Sequence, residues 1–416
     1  MSRLRLGTAL ALTGVVVAGA SAVGAQDDLG AEAKTALRFV QGLRERGYHD
    51  LALDYLQGLR QAPGTPADLA TILDFEQGRG LLEEANVAPD LDRRRLLLEQ
   101  ARLRLDAFLK AHPKHPRVPE ALVQLARLFY QRGQTAAIQA NEAATPAEAQ
   151  AKLDEARASF NQARGAYTSA EEPLLAAYKV FPSFLPEGDP RKEARQQAHN
   201  AVMDAQLQRS VVDYEEAQTY PPGTPERDQL LDRSIASFKD IYRRYRTQMA
   251  GLAAYMWQGK CYEEKGDLRA ALGIYNELLE HPAPELRQIQ RQVAYYKIIA
   301  LGKRQEYALA ADLARSWLEA SRGERGSYEW LGVQLEYAKD LLAQVPNATE
   351  AEAAAAGAAA FLAKPFSPRR LLAAVDALVA DHPSPTWRRS ARCAPTACLA
   401  SASWRAWPTW PPARFT

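Results

Sequence analysis

One spacing recurs along this chain and leaves few folds open to it. Tyr255, Gly259, Tyr262, Gly266, Ala271, Tyr275 and Leu278 are separated by four, three, four, five, four and three residues. Steps of three and four place side chains on one face of an α-helix. The first three residues therefore predict a helix over about 252–265, the last three a helix ending near His281-Pro282, and Gly266-Asp267 the turn between them. Small Gly259 and Ala271 let the two backbones approach closely. The same separations return at Ala36, Val40, Leu43, Gly47, Ala52, Leu56 and Leu59, and at Ala294, Ile298, Leu301, Gln305, Ala310, Ala314 and Trp317. Two further units match in part. Ala101, Leu105 and Phe108 form a second helix, and Leu122, Ala126, Phe129 and Gly133 a first one. The partner of that first helix, through Ala156, Phe160 and Ala163, is displaced by about eighteen residues, which predicts long helices.

Composition agrees with a helical chain. Ala, Leu, Arg, Glu and Gln are abundant and Val, Ile and Thr scarce, the choice of residues that lose little rotamer freedom in a helix. Pro63-Gly64-Thr65-Pro66, His112 to Pro116, Pro182 to Pro190 and Pro221 to Pro225 are breakers between periodic segments and predict loops. Thr145-Pro146 and Thr224-Pro225, each with an early Glu, read as capping Thr, Pro at the first helical position and an acid near the positive helix end.

The repeat resembles the tetratricopeptide family, whose helix–turn–helix unit of about 34 residues carries small and aromatic side chains at such positions. The Tyr255 unit lies nearest the family pattern, while 134–247 departs from strict periodicity. The resemblance implies an all-α fold, a right-handed α-superhelix (solenoid) with a concave docking face for a protein or peptide, and no catalytic residue. Its packing positions here are Ala36, Gly47, Ala52, Ala101, Ala126, Gly133, Tyr255, Gly259, Tyr262, Gly266, Ala271, Tyr275 and Ala310. The expected layout is a signal peptide over 1–25, repeat-like pairs over 26–117, long irregular pairs over 118–248 and further repeats over 249–346.

Chemistry-bearing motifs are sparse. Lys+Arg number 52 and Asp+Glu 50, so no long-range field selects nucleic acid. His112 and His115 form the only close histidine pair and read as an inter-repeat turn rather than a metal site. Gly78-Arg79-Gly80 lacks the rest of a nucleotide loop and reads as a close helix contact. The adjacent pairs Glu83-Glu84, Glu171-Glu172, Glu215-Glu216 and Glu263-Glu264 diverge by about 100° on a helix and read as solvated faces. Cys261 reads as a buried thiol. No cofactor or metal is expected. Tyr242-Arg243-Arg244-Tyr245-Arg246 interleaves aromatics with cations; Tyr242 and Tyr245 suit a neighbouring helix, and Arg243, Arg244 and Arg246 are candidate contacts to an acidic partner.

Both termini differ from the body. Arg3 and Arg5 precede an apolar run from Leu6 to about Gly24, and Val23-Gly24-Ala25 offers small residues for cleavage before Gln26. That predicts a periplasmic or secreted protein with no lipid-attachment Cys and no membrane-spanning segment after cleavage; an uncleaved anchor is the alternative. From Gly357 to Val375 the chain resembles the end of a response-regulator receiver domain, with Lys364 and Pro365 at the Lys-Pro pair. The phosphoacceptor strands are missing upstream, so residues 351–382 read as a relic or a join. Residues 383–416 hold four of seven tryptophans and no Asp, Glu or Lys, and read as an irregular, disordered tail or a shifted reading frame. The expected function is a non-catalytic protein–protein interaction scaffold of the bacterial cell envelope. An outer-membrane assembly or envelope-biogenesis factor, or a phosphorelay remnant, are its alternatives.

Overall fold

The computed structural model describes residues 29–344, apart from 283, 325 and 326. The expected signal peptide, the receiver-like stretch with Lys364 and Pro365, and the tail lie outside the described residues. The protein is all-α, with thirteen α-helices and no strand among the described residues. None of those helices is long and apolar enough to cross a membrane. The chain divides between Thr219 and Tyr220 into two compact units.

The first unit comprises α1 (Ala31–Glu45), α2 (His49–Gln61), α3 (Ala67–Val87), α4 (Leu91–Ala111), α5 (Val118–Glu142), α6 (Pro146–Lys179) and α7 (Arg191–Ala217). Each helix packs chiefly on its chain neighbours, with lighter contacts between α1 and α3, α3 and α5, and α5 and α7. The second unit comprises α8 (Pro225–Arg244), α9 (Met249–Glu264), α10 (Leu268–Glu280), α11 (Arg287–Lys303), α12 (Tyr307–Ala320) and α13 (Tyr328–Ala343). It follows the same pattern, α9 also touching α11, and α11 touching α13.

The three full spacing matches fold alike at their turns. Gly47, Gly266 and Gln305 occupy the same place in the pattern, and all three are left-handed, with φ of 77°, 83° and 66°. Each turn closes with the same two hydrogen bonds. Gly47 N–H donates to the Arg44 carbonyl and Tyr48 N–H to Leu43; Gly266 N–H donates to Glu263 and Asp267 N–H to Tyr262; Gln305 N–H donates to Gly302 and Glu306 N–H to Leu301. This helix ending satisfies two carbonyls and suits glycine, which has no Cβ to clash at positive φ. Gln305 carries the strain that the two glycines avoid. Gln305→Gly is therefore expected to raise stability by about 1 kcal/mol, read as an upward shift in the thermal midpoint of the second unit.

Close approach between paired helices also follows the small residues. A Cβ on Gly259 would lie 2.7 Å from the Tyr275 ring, and one on Gly133 would lie 2.7 Å from Phe160. Gly78 packs in the same way on Leu105, where a Cβ would sit 2.8 Å from Cγ. Ala36, Ala52, Ala101, Ala126, Ala271 and Ala310 are all buried, Tyr275 is fully so, and Tyr255 and Tyr262 are half-buried. The displaced partner of α5 is the 34-residue α6. It opens with a reciprocal cap, in which Glu148 N–H donates to Thr145 Oγ1 at 3.2 Å and Thr145 N–H donates to Glu148 Oε2 at 3.2 Å. Thr224 differs from expectation. It precedes α8 as foreseen, but its hydroxyl donates to the Pro221 carbonyl at 2.9 Å and leaves the helix end uncapped by a side chain.

Candidate functional site

In each unit, polar side chains link the first helices of successive pairs. In the first unit Glu76 of α3 is the hub. Arg44 of α1 donates to Glu76 Oε2 at 2.8 Å and to its carbonyl at 2.5 Å, and Arg117, just before α5, donates to Oε1 at 2.7 Å. Arg44 also lies 3.3 Å from Glu83, and Arg79 pairs with Glu83 at 3.0 Å and with Glu120 of α5 at 3.7 Å. The Arg117 guanidinium stands over the Phe75 ring. Burial opposes ionisation of Glu76, yet the field of Arg44, Arg79 and Arg117 holds its carboxyl down at about 2. Further along, Arg127 of α5 pairs with Asp204 of α7 at 2.8 Å, and Arg164 of α6 pairs with both Asp213 and Glu216 of α7.

The second unit repeats the device with different residues. Lys260 and Glu263 of α9 pair at 2.7 Å with both side chains almost wholly buried. Lys303 of α11 reaches Glu263 at 2.9 Å, Tyr275 of α10 donates its hydroxyl to Glu263 Oε2 at 2.9 Å, and Arg227 of α8 pairs with Glu264 at 2.7 Å. The Lys260 ammonium also stands 5.0 Å above the centre of the Tyr296 ring. Burial works against the charge on Lys260, but Glu263 and Glu264 keep it a cation. A protonated amine is a poor nucleophile, so this cluster is built to bind helices together.

These contacts correct the reading of the glutamate pairs. Glu263 and Glu215 are buried and Glu264 nearly so, because helices flank them on more than one side. Among the described residues no cation pairs with Glu215. Burial pushes its carboxyl up to about 8 against hydrogen bonds from Tyr130 and Gln134, and Tyr130 Oη donates to it at 3.2 Å.

The aromatic and cationic stretch at the end of α8 becomes a stacked platform. Tyr242 and Tyr255 lie face to face with ring centres 4.1 Å apart and planes 6° apart. Arg246 is exposed and stands 5.6 Å over Tyr242, and Tyr255 Oη donates to Glu277 Oε2 at 2.6 Å. Burial and then that hydrogen bond push the Tyr255 phenol upward. Arg243 and Arg244 both reach Asp240 one turn back, at 2.9 and 2.6 Å, and Arg244 also covers Tyr245. The structure thus gathers Tyr242, Tyr255 and Arg246 into one feature while Arg243 and Arg244 share Asp240. Each pair is exposed enough to exchange its carboxylate for a partner's.

His115 Nδ1 accepts the Arg117 N–H at 3.1 Å, so that ring serves the turn. Cys261 is a buried thiol. No group of three or more His, Cys, Asp or Glu side chains converges as a metal site among the described residues. Comparison with protein-family models and with curated proteins gave no match.

Proposed function

We propose that the chain is a non-catalytic scaffold of the bacterial cell envelope, exported through its N-terminal segment. In this reading it is a right-handed α-superhelix of tetratricopeptide-like pairs that receives a protein or peptide on its concave face. The observation that carries the reading is the threefold return of one left-handed turn, with the same two hydrogen bonds, at equivalent places of a repeated spacing. A chain of helix pairs that pack mainly on their neighbours presents a long surface rather than an enclosed pocket. Arg246 on the Tyr242–Tyr255 stack, with Arg243 and Arg244 beside it, suits an acidic stretch of the partner, since its exposed guanidinium has five donors and its hydrogen bond to Tyr242 uses only part of them.

The test is crosslinking and mass spectrometry on the chain in its native envelope, beside a variant carrying Arg243→Glu, Arg244→Glu and Arg246→Glu. A discrete protein partner that crosslinks to the wild type and is lost from the variant is the expected result. Recovery of no specific partner, or one indifferent to the three changes, overturns the proposal.

A further inference from the structure

The first unit carries a tip that its packing does not use. Buried residues of α6 end at Leu174 and those of α7 begin at Ala198, and only Leu185 is buried between them. At this tip stand the two most exposed large apolar side chains of the described residues, Val180 at 79% and Phe184 at 78%. Isolated apolar residues on a surface need no explanation. Two of them, held on one short loop beyond the packed body, call for one.

The loop is held rather than loose. Pro182, Pro186 and Pro190 fix three backbone angles. Phe181 N–H donates to the Tyr178 carbonyl at 3.2 Å and Asp189 N–H to Pro186 at 3.2 Å. At its base the Tyr178 ring stacks on His199 with centres 4.7 Å apart, and Arg195 donates to the Tyr178 hydroxyl at 3.1 Å. Val180 and Phe184 are therefore presented to solvent without the ordering cost that a flexible loop would incur on binding.

We propose that this tip docks on a lipid surface, with Val180 and Phe184 entering the boundary between headgroups and acyl chains. A convex knob fits a deformable surface, and three prolines bring no N–H donors to be desolvated there. Charge selects the lipid class. Between Lys179 and Glu193 three cations (Lys179, Arg191, Lys192) face three acids (Glu187, Asp189, Glu193), so attraction to anionic headgroups cancels and a zwitterionic surface suffices. The contact is interfacial and asks for no membrane-crossing helix.

The test places 4-benzoylphenylalanine in the full chain at Phe184, or at exposed Gln100 of α4 as the control, and irradiates it with phosphatidylcholine vesicles. A lipid adduct is expected at position 184 and not at 100, unchanged by added salt or by mixing in phosphatidylglycerol. The control separates tip docking from tethering through the apolar N-terminal run. Adding Val180→Asp to the position-184 probe is expected to cut the adduct about tenfold or more, with helix content retained. Equal adducts at 184 and 100, adduct formation that requires phosphatidylglycerol, an adduct indifferent to Val180→Asp, or a product joining two protein chains and no lipid would each overturn the proposal.

Discussion

Glu76→Gln is expected to destabilise the first unit by about 3 kcal/mol at neutral pH, lowering its thermal midpoint by about 6–12 °C. The change keeps the shape and a hydrogen-bond acceptor but removes the one charge on which Arg44 and Arg117 converge at 2.8 and 2.7 Å. Arg44 keeps Glu83 and Arg117 keeps the Phe75 ring, which places the loss at the lower end for breaking a buried pair. The pH dependence has a definite sign. Glu76 titrates at about 2 in the folded chain against an ordinary 4.5, so its contribution is complete above about 4.5 and disappears as pH falls towards 2. Thermal melts followed by circular dichroism should therefore show a gap between wild type and variant that is widest at pH 7 and closes on acidification. A gap that stays constant or widens in acid would contradict the assignment of Glu76 as an ionised hub.

Local geometry was legible in the sequence wherever the backbone required a particular residue. The turn glycines Gly47 and Gly266 could be aligned because a left-handed helix ending tolerates few alternatives, and the spacing then located Gln305, which no composition rule would single out. Gly259 stood out as a small residue between Tyr255 and Tyr262 and Gly133 as the last position of a partial spacing match, and the space a Cβ would need at each is taken by Tyr275 and Phe160. Gly251 escaped notice. A Cβ there would lie 2.0 Å from the Tyr245 carbonyl oxygen, a contact between a helix start and the preceding turn that no periodicity reveals.

The charged belt was not legible, for a physical reason. Along one helix, a polar stripe facing solvent and a polar stripe facing another helix have the same period. Glu263 and Glu264 both reach Lys260 on α9 and Lys303 from α11, and Arg227 from α8 adds to Glu264. Only the neighbours decide which reading applies, and they come from 37 to 40 residues away in sequence. The platform was half legible. Tyr242 and its arginines are contiguous in sequence, while the Tyr255 ring that completes the stack belongs to the next helix.

Glu215 of the first unit has the opposite electrostatics from Glu76, and Glu215→Gln is expected to stabilise that unit. Arg164 of α6 is engaged by the neighbouring Asp213 and Glu216 of α7, and Glu215 between them is held by Tyr130 and Gln134, which are neutral. Its folded carboxyl titrates at about 8 against an ordinary 4.5. Between those values the unfolded chain ionises this group while the folded chain holds its proton, so the unfolded state binds fewer protons and stability falls as pH rises. The loss begins near pH 4.5 and is complete near pH 8. At pH 7 it amounts to about 3 kcal/mol, and Gln, which cannot ionise, recovers it while still accepting from Tyr130. Urea titrations at pH 4.5 and pH 7.5 should give nearly equal midpoints for wild type and variant at the lower pH and a clearly higher midpoint for the variant at the upper one. Parallel profiles for the two proteins would mean that Glu215 is already charged at neutral pH and draws on a cation. The opposite signs at Glu76 and Glu215 then make one prediction for the first unit as a whole, that its stability passes through a maximum on the acid side of neutrality.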